Sequence, residues 1–183
     1  MEILAKWVLP LALVGTLFTT GCTIQGKPEM HSSQDSDKPG QQVNPGLTWQ
    51  KAKSDTQETE QQIADLIPKE LVESVKQQSV GMLFQCSNGQ HQWGGGTIVN
   101  LRQDSDFPAA IRTLEKHYQT AGGGYSVKVG DDAFGYLQLT LTTSRDDGEA
   151  YLVSTGLEKN QLNIDSRSPC FTLPEGVYPG GDF

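Results

Sequence analysis

The sequence predicts an α+β domain: one mostly antiparallel, meandering sheet of five to six strands with helices packed on one face. Two kinds of periodicity support this. Phe107, Ile111, Leu114 and Tyr118 recur at helical spacing, which makes a single apolar stripe. Leu137, Leu139 and Leu141 alternate with Gln138, Thr140 and Thr142, the period of a half-buried strand. Turn signals at Asn88-Gly89 and Asp146-Asp147-Gly148 separate such segments closely enough for neighbouring strands to run antiparallel.

In chain order, Ser54-Asp55 with Glu58 reads as a capping box opening a first helix, preceded by Trp49. Ile63, Ile67, Leu71 and Val75 continue its apolar face, and Pro68 either kinks it or starts a second helix. Val80 to Gln85 is a strand, turned by Ser87-Asn88-Gly89-Gln90 into another over His91 to Leu101. Asp106 caps the helix that carries Pro108 in its first turn, and Gly122-Gly123-Gly124 ends it. Strands follow at Tyr125 to Val129, Leu137 to Thr142, Tyr151 to Thr155 and around Leu162 and Ile164. The resulting order is α-β-β-α-β-β-β-β, with no internal repeat.

The chain has 183 residues, room for one domain with a core of its own. It divides into a leader (residues 1–21), a tether (22–48) and a globular domain (49–183). The apolar run from Trp7 to Phe18 is too short to cross a bilayer but fits the core of a signal peptide. It ends in Thr19-Thr20-Gly21-Cys22. Small residues before a cysteine resemble a lipobox, which implies cleavage before Cys22, lipid on its thiol and a place on the outer face of the cell membrane. Thr19 stands where leucine is commoner in that motif. From Thr23 to Thr48 the chain is polar and free of aromatics, so it cannot bury enough surface to order itself. As a coil it spans about 25–30 Å.

With 14 basic and 22 acidic residues, the net charge is −8. An acidic surface repels phosphate backbones, which argues against nucleic acid as a partner. It gives no basic patch for anionic lipid either, so membrane attachment falls to the N-terminal lipid. Of three cysteines, lipidation removes Cys22 and leaves Cys86 and Cys170 to form a disulfide in an oxidising compartment. A metal-binding pair would need further Cys or His ligands at short spacing, and none stands beside either cysteine.

Leu83 to Cys86, Trp93-Gly94, Gly148 to Val153, and Ser168-Pro169-Cys170-Phe171 followed by Leu173-Pro174-Glu175-Gly176 together resemble small actinobacterial lipoproteins of unassigned role. The resemblance runs from about Val80 onward. It implies an envelope location and a cysteine pair, and carries no catalytic residue.

The chemistry-bearing candidates are few. His91 and His117 have no paired ligand in the sequence, and a terminal-turn histidine facing the helix dipole accounts for His117. There is no Gly-x-Ser-x-Gly and no Ser-x-x-Lys. The acidic pairs at Asp104/Asp106, Asp131/Asp132 and Asp146/Asp147 lack the spacing of a calcium loop. No metal or cofactor is therefore expected. Gln90 to Gly96 is the least explained segment, because three glycines weaken a strand unless something approaches its backbone closely. His91, Trp93, Gly94 and Gly95 are accordingly the candidate binding residues, with Trp93 either stacking a ligand or sitting in the core. These readings favour a lipid-anchored, non-enzymatic module that binds an envelope protein, peptide or glycan. A hydrolase of envelope or secreted substrates and a structural assembly partner are the alternatives.

Overall fold

The computed structural model describes residues 44–183. Cys22, the leader and most of the tether lie outside the described residues. The architecture is α+β: two helices and one open antiparallel sheet of seven strands, at least one more than expected.

Helix α1 (Trp49–Asp65) begins earlier than the capping-box reading placed it. Thr48 is the N-cap, its hydroxyl accepting from the Lys51 N–H at 3.2 Å. Asp55 lies inside the helix and pairs with Lys51 one turn back. The helix also ends earlier. Pro68 has no N–H for a continuing ladder, and the chain turns through Pro68–Leu71 into strand β1 (Val72–Gln77). The expected helical continuation through Leu71 and Val75 is thus corrected to an edge strand. Its middle residues are exposed, so no period of two marks it, and the four-residue recurrence of Leu71 and Val75 is coincidental.

The remaining elements lie close to where the sequence puts them: β2 (Met82–Gln85), β3 (His91–Leu101), α2 (Phe107–Ala121), β4 (Tyr125–Asp131), β5 (Leu137–Thr143), β6 (Ala150–Thr155) and β7 (Gln161–Arg167). Asp106 caps α2 through the Ala109 N–H at 3.0 Å. The turn between β2 and β3 is a single 3-10 turn in which Asn88 and Gly89 both take positive φ, the conformation those two residue types adopt most readily.

Neighbours run β1-β3-β7-β6-β5-β4, with β2 also on β3. Gly94 pairs with Met82 on one side and Arg167 on the other. β1 and β2 therefore form one edge of β3, interrupted between Gln78 and Gly81. On one face, Val99, Leu162, Ile164, Val153, Leu139 and Leu141 meet Ile63 and Ile67 from α1 and its exit and Ile111, Leu114 and Tyr118 of α2 in a common core. A second, smaller cluster gathers Ala52, Trp93 and Phe171. Cys86 and Cys170 are joined, with an S–S distance of 2.02 Å and Cα atoms 6.3 Å apart. The bond ties the β2–β3 turn to the segment that leaves β7.

Candidate functional site

The glycine run admits the protein's own rings. A Cβ on Gly95 would overlap the Trp93 ring, as would one on Gly81, and a Cβ on Gly94 would come within 2.5 Å of the Phe84 ring. Trp93 is 0% exposed, and its indole N–H donates to the Phe183 main-chain oxygen at 3.3 Å. Its ring is therefore core and has no free face on which to stack a ligand. The Trp93 N–H donates to the Ser168 hydroxyl at 2.8 Å, His91 pairs with Phe171 through both main-chain groups, and Cys170 closes the disulfide. Each of Ser168, Cys170 and Phe171 thus has a packing role against the start of β3.

Of the other candidates, His91 keeps its ring Nδ1 buried and without a hydrogen-bond partner. His117 packs edge-on against Tyr118 on α2. Among the described residues no group of three His, Cys, Asp or Glu side chains could hold a metal ion.

Gly94 and Gly95 do line a depression, on the sheet face opposite the helices. Register defines its floor. Gly96, Asp165, Leu152 and Thr140 lie side by side across β3, β7, β6 and β5. Gly94, Arg167 and Ala150 form the next row. Small residues in both rows lower the floor, while Val80, Met82 and Phe84 of the broken edge rise beside it. The result is a groove of about 500 Å³, mostly apolar, with Asp182 also reaching its lining. That volume suits a small organic ligand. Met82 is 60% exposed, a large apolar side chain turned outward beside an apolar floor.

The charged groups of the floor are held in distinct ways. The Arg167 guanidinium lies over the Phe84 ring, 4.2 Å from its centroid. With the Gln92 amide oriented to accept from Arg167 Nη1 at 3.0 Å and to donate to the Gly148 carbonyl, the arginine is braced from two sides. It makes no ion pair among the described residues. Asp165 is solvent-accessible, yet the groove withdraws enough water to raise its carboxyl pKa above the ordinary aspartate value. No side-chain hydrogen bond among the described residues ends on its carboxylate, while its backbone stays in the ladder between β3 and β6.

Two polar networks lie elsewhere. Glu60 of α1 is 0% exposed and accepts from Ser166, Thr97 and Gln77, with no cation among its partners. Burial raises its pKa despite those donors. At the β5–β6 hairpin, Arg145 bridges Asp147 and Glu149, and the Tyr125 and Tyr151 hydroxyls donate to Glu149 at 2.9 Å. Burial alone would raise the Asp147 carboxyl. Arg145, the Thr143 hydroxyl and the Glu149 N–H outweigh it and hold that pKa low. The tyrosines shift upward, first through burial and then through the Glu149 charge.

Sequence reasoning missed Met82, Phe84, Leu152, Asp165 and Arg167 as groove residues. One signal was present: Tyr151-Leu152-Val153 is apolar at three consecutive positions, which puts an apolar side chain on both faces of β6. No protein-family model, curated protein or solved structure matches this chain.

Proposed function

We propose that this chain is a lipid-anchored, extracytoplasmic binding module and that the groove on the sheet's helix-free face is its ligand site. The groove carries the proposal. An apolar, glycine-floored depression with one exposed methionine is costly to leave open to water, and the two charges on its floor have no ion-pair partner among the described residues. The Cys22 lipobox and the polar tether supply the anchoring half, together with the resemblance to small actinobacterial lipoproteins. The ligand belongs to the envelope, and the lipid on Cys22 provides attachment to the outer face of the cell membrane.

Two experiments test the two halves. Cys22→Ser should leave the precursor uncut and abolish detergent-phase partitioning; normal maturation of that variant would place the anchor elsewhere. For the groove, the chain beyond residue 22 contains only two methionines, Met30 and Met82. With 13C-methyl methionine, a neutral apolar probe such as indole should shift the Met82 signal saturably and leave Met30 unmoved. Leu152→Lys should abolish the shift. A Met82 signal that ignores the probe would remove the groove as a ligand site.

A further inference from the structure

We infer that the groove takes a small zwitterion with an apolar body, a dipeptide with aliphatic side chains, with its ammonium on Asp165 and its carboxylate on Arg167. The inference rests on the groove being the ligand site and adds the chemistry of what fills it.

Asp165 and Arg167 stand two positions apart on β7, on the same face, so their Cα atoms are roughly 7 Å apart. They do not pair with each other. The stack on Phe84 and the brace from Gln92 hold the guanidinium away from its neighbour. The floor thus presents an acceptor and a donor fork, each without an ionic partner among the described residues. Exposed opposite charges gain little from pairing, and the stack and the amide occupy the arginine elsewhere. A dipeptide offers a terminal ammonium and a terminal carboxylate joined by one short chain that can bend to bring each to its own partner. Each end can make a hydrogen bond about 2.8 Å long, one to Asp165 and one to Arg167, whose backbones stand two positions apart on one face. A planar guanidinium suits a carboxylate in particular, since it can donate two parallel N–H groups.

The surroundings agree with that occupant. Gly96 flanks Asp165 on the β3 side, and Gly94 and Ala150 flank Arg167, so no large side chain rises beside either charge from β3. Val80, Met82 and Leu152 provide apolar walls for a side chain. An anionic amphiphile would meet Asp165 and Asp182, and a simple cation would leave Arg167 unsatisfied. A diacyl lipid with a zwitterionic head shares the charge pattern, but its two chains exceed a groove of about 500 Å³.

The test uses the mature lipoprotein in phosphatidylcholine nanodiscs, titrated with leucyl-leucine, 3-methylbutylamine, 4-methylpentanoate and dihexanoyl phosphatidylethanolamine. Binding is read by calorimetry and by the Met82 methyl signal. Leucyl-leucine should bind saturably, and each single-charge probe at least tenfold more weakly. Asp165→Asn and Arg167→Gln, checked for unchanged melting, should each weaken the dipeptide at least tenfold. The inference is overturned if the amine or the acid alone matches the dipeptide, if both variants bind it like the parent, or if the phosphatidylethanolamine binds and the dipeptide does not. Indole shifting Met82 without any dipeptide binding would overturn the zwitterion and leave the groove as a site for neutral ligands. Failure of indole and dipeptide together would overturn both.

Discussion

Removing the Cys86–Cys170 bond gives the sharpest quantitative test of how this domain is held together. The bond closes a loop with a sequence separation of 84. In the chain-entropy picture, a loop of that length restricts the unfolded ensemble by about 4–5 kcal/mol at 25 °C. An unfolding entropy of about 2.1 cal/mol/K per residue gives a domain of about 140 residues roughly 0.3 kcal/mol/K. Cys86→Ala with Cys170→Ala should therefore lower Tm by about 15 °C. The pair joins the β2–β3 turn to the segment bearing Phe171, so truncating the buried Cys170 side chain adds a small packing loss to the entropic one. Calorimetry of the parent with and without reductant, alongside the double variant, measures both parts. A drop under about 4 °C, in protein whose unreduced peptide map shows the two peptides joined, would refute the loop-entropy reasoning. The unfolded chain would then already be restrained in that region.

Gly95→Ala should destabilise the domain by about 1–3 kcal/mol, because its Cβ overlaps the Trp93 ring; Gly130→Ala, with nothing within 4 Å, should change urea denaturation far less. Glu60 has a folded pKa raised above its unfolded value, so its contribution is complete at pH below the unfolded value and is lost as pH rises through the folded one. The stability of Glu60→Gln relative to the parent should accordingly climb between acidic and neutral pH, and a pH-independent difference would contradict the buried-carboxylate account. Asp147 runs the other way: its depressed pKa stabilises above the unfolded value and the benefit fades as acid protonates it. Arg145→Met should cost about 1–2 kcal/mol at neutral pH, moderated because Arg145 is itself largely exposed. That gap should narrow in acid, and an equal gap at both ends of the titration would argue against the ion pairs as its source.

Local signals in the sequence determine most of the secondary structure. Asp106 at the cap, Pro108 in the first turn and the stripe from Phe107 to Tyr118 specify α2 because each acts within a few residues along the chain. The same is true of β3 and β5, where one face is buried and the alternation is plain. Cysteine arithmetic likewise reaches the Cys86–Cys170 pair once Cys22 is set aside as the expected lipidation site. Strand β1 was illegible because an exposed edge imposes no hydrophobic period. Trp93 next to three glycines reads equally as a stacking platform or as core, and only the approach of Gly81 and Ala52 from distant segments decides for core. The groove is tertiary in origin. Its walls and floor come from the broken β1–β2 edge, β3, β5, β6 and β7, brought into register by hydrogen bonds between strands far apart in sequence. Whether Asp165 and Arg167 pair with each other or stay apart depends on a ring and an amide, Phe84 and Gln92, more than 70 positions away along the chain; the local pattern of β7 carries no trace of either, because cross-strand contacts are set by register and not by neighbours in sequence.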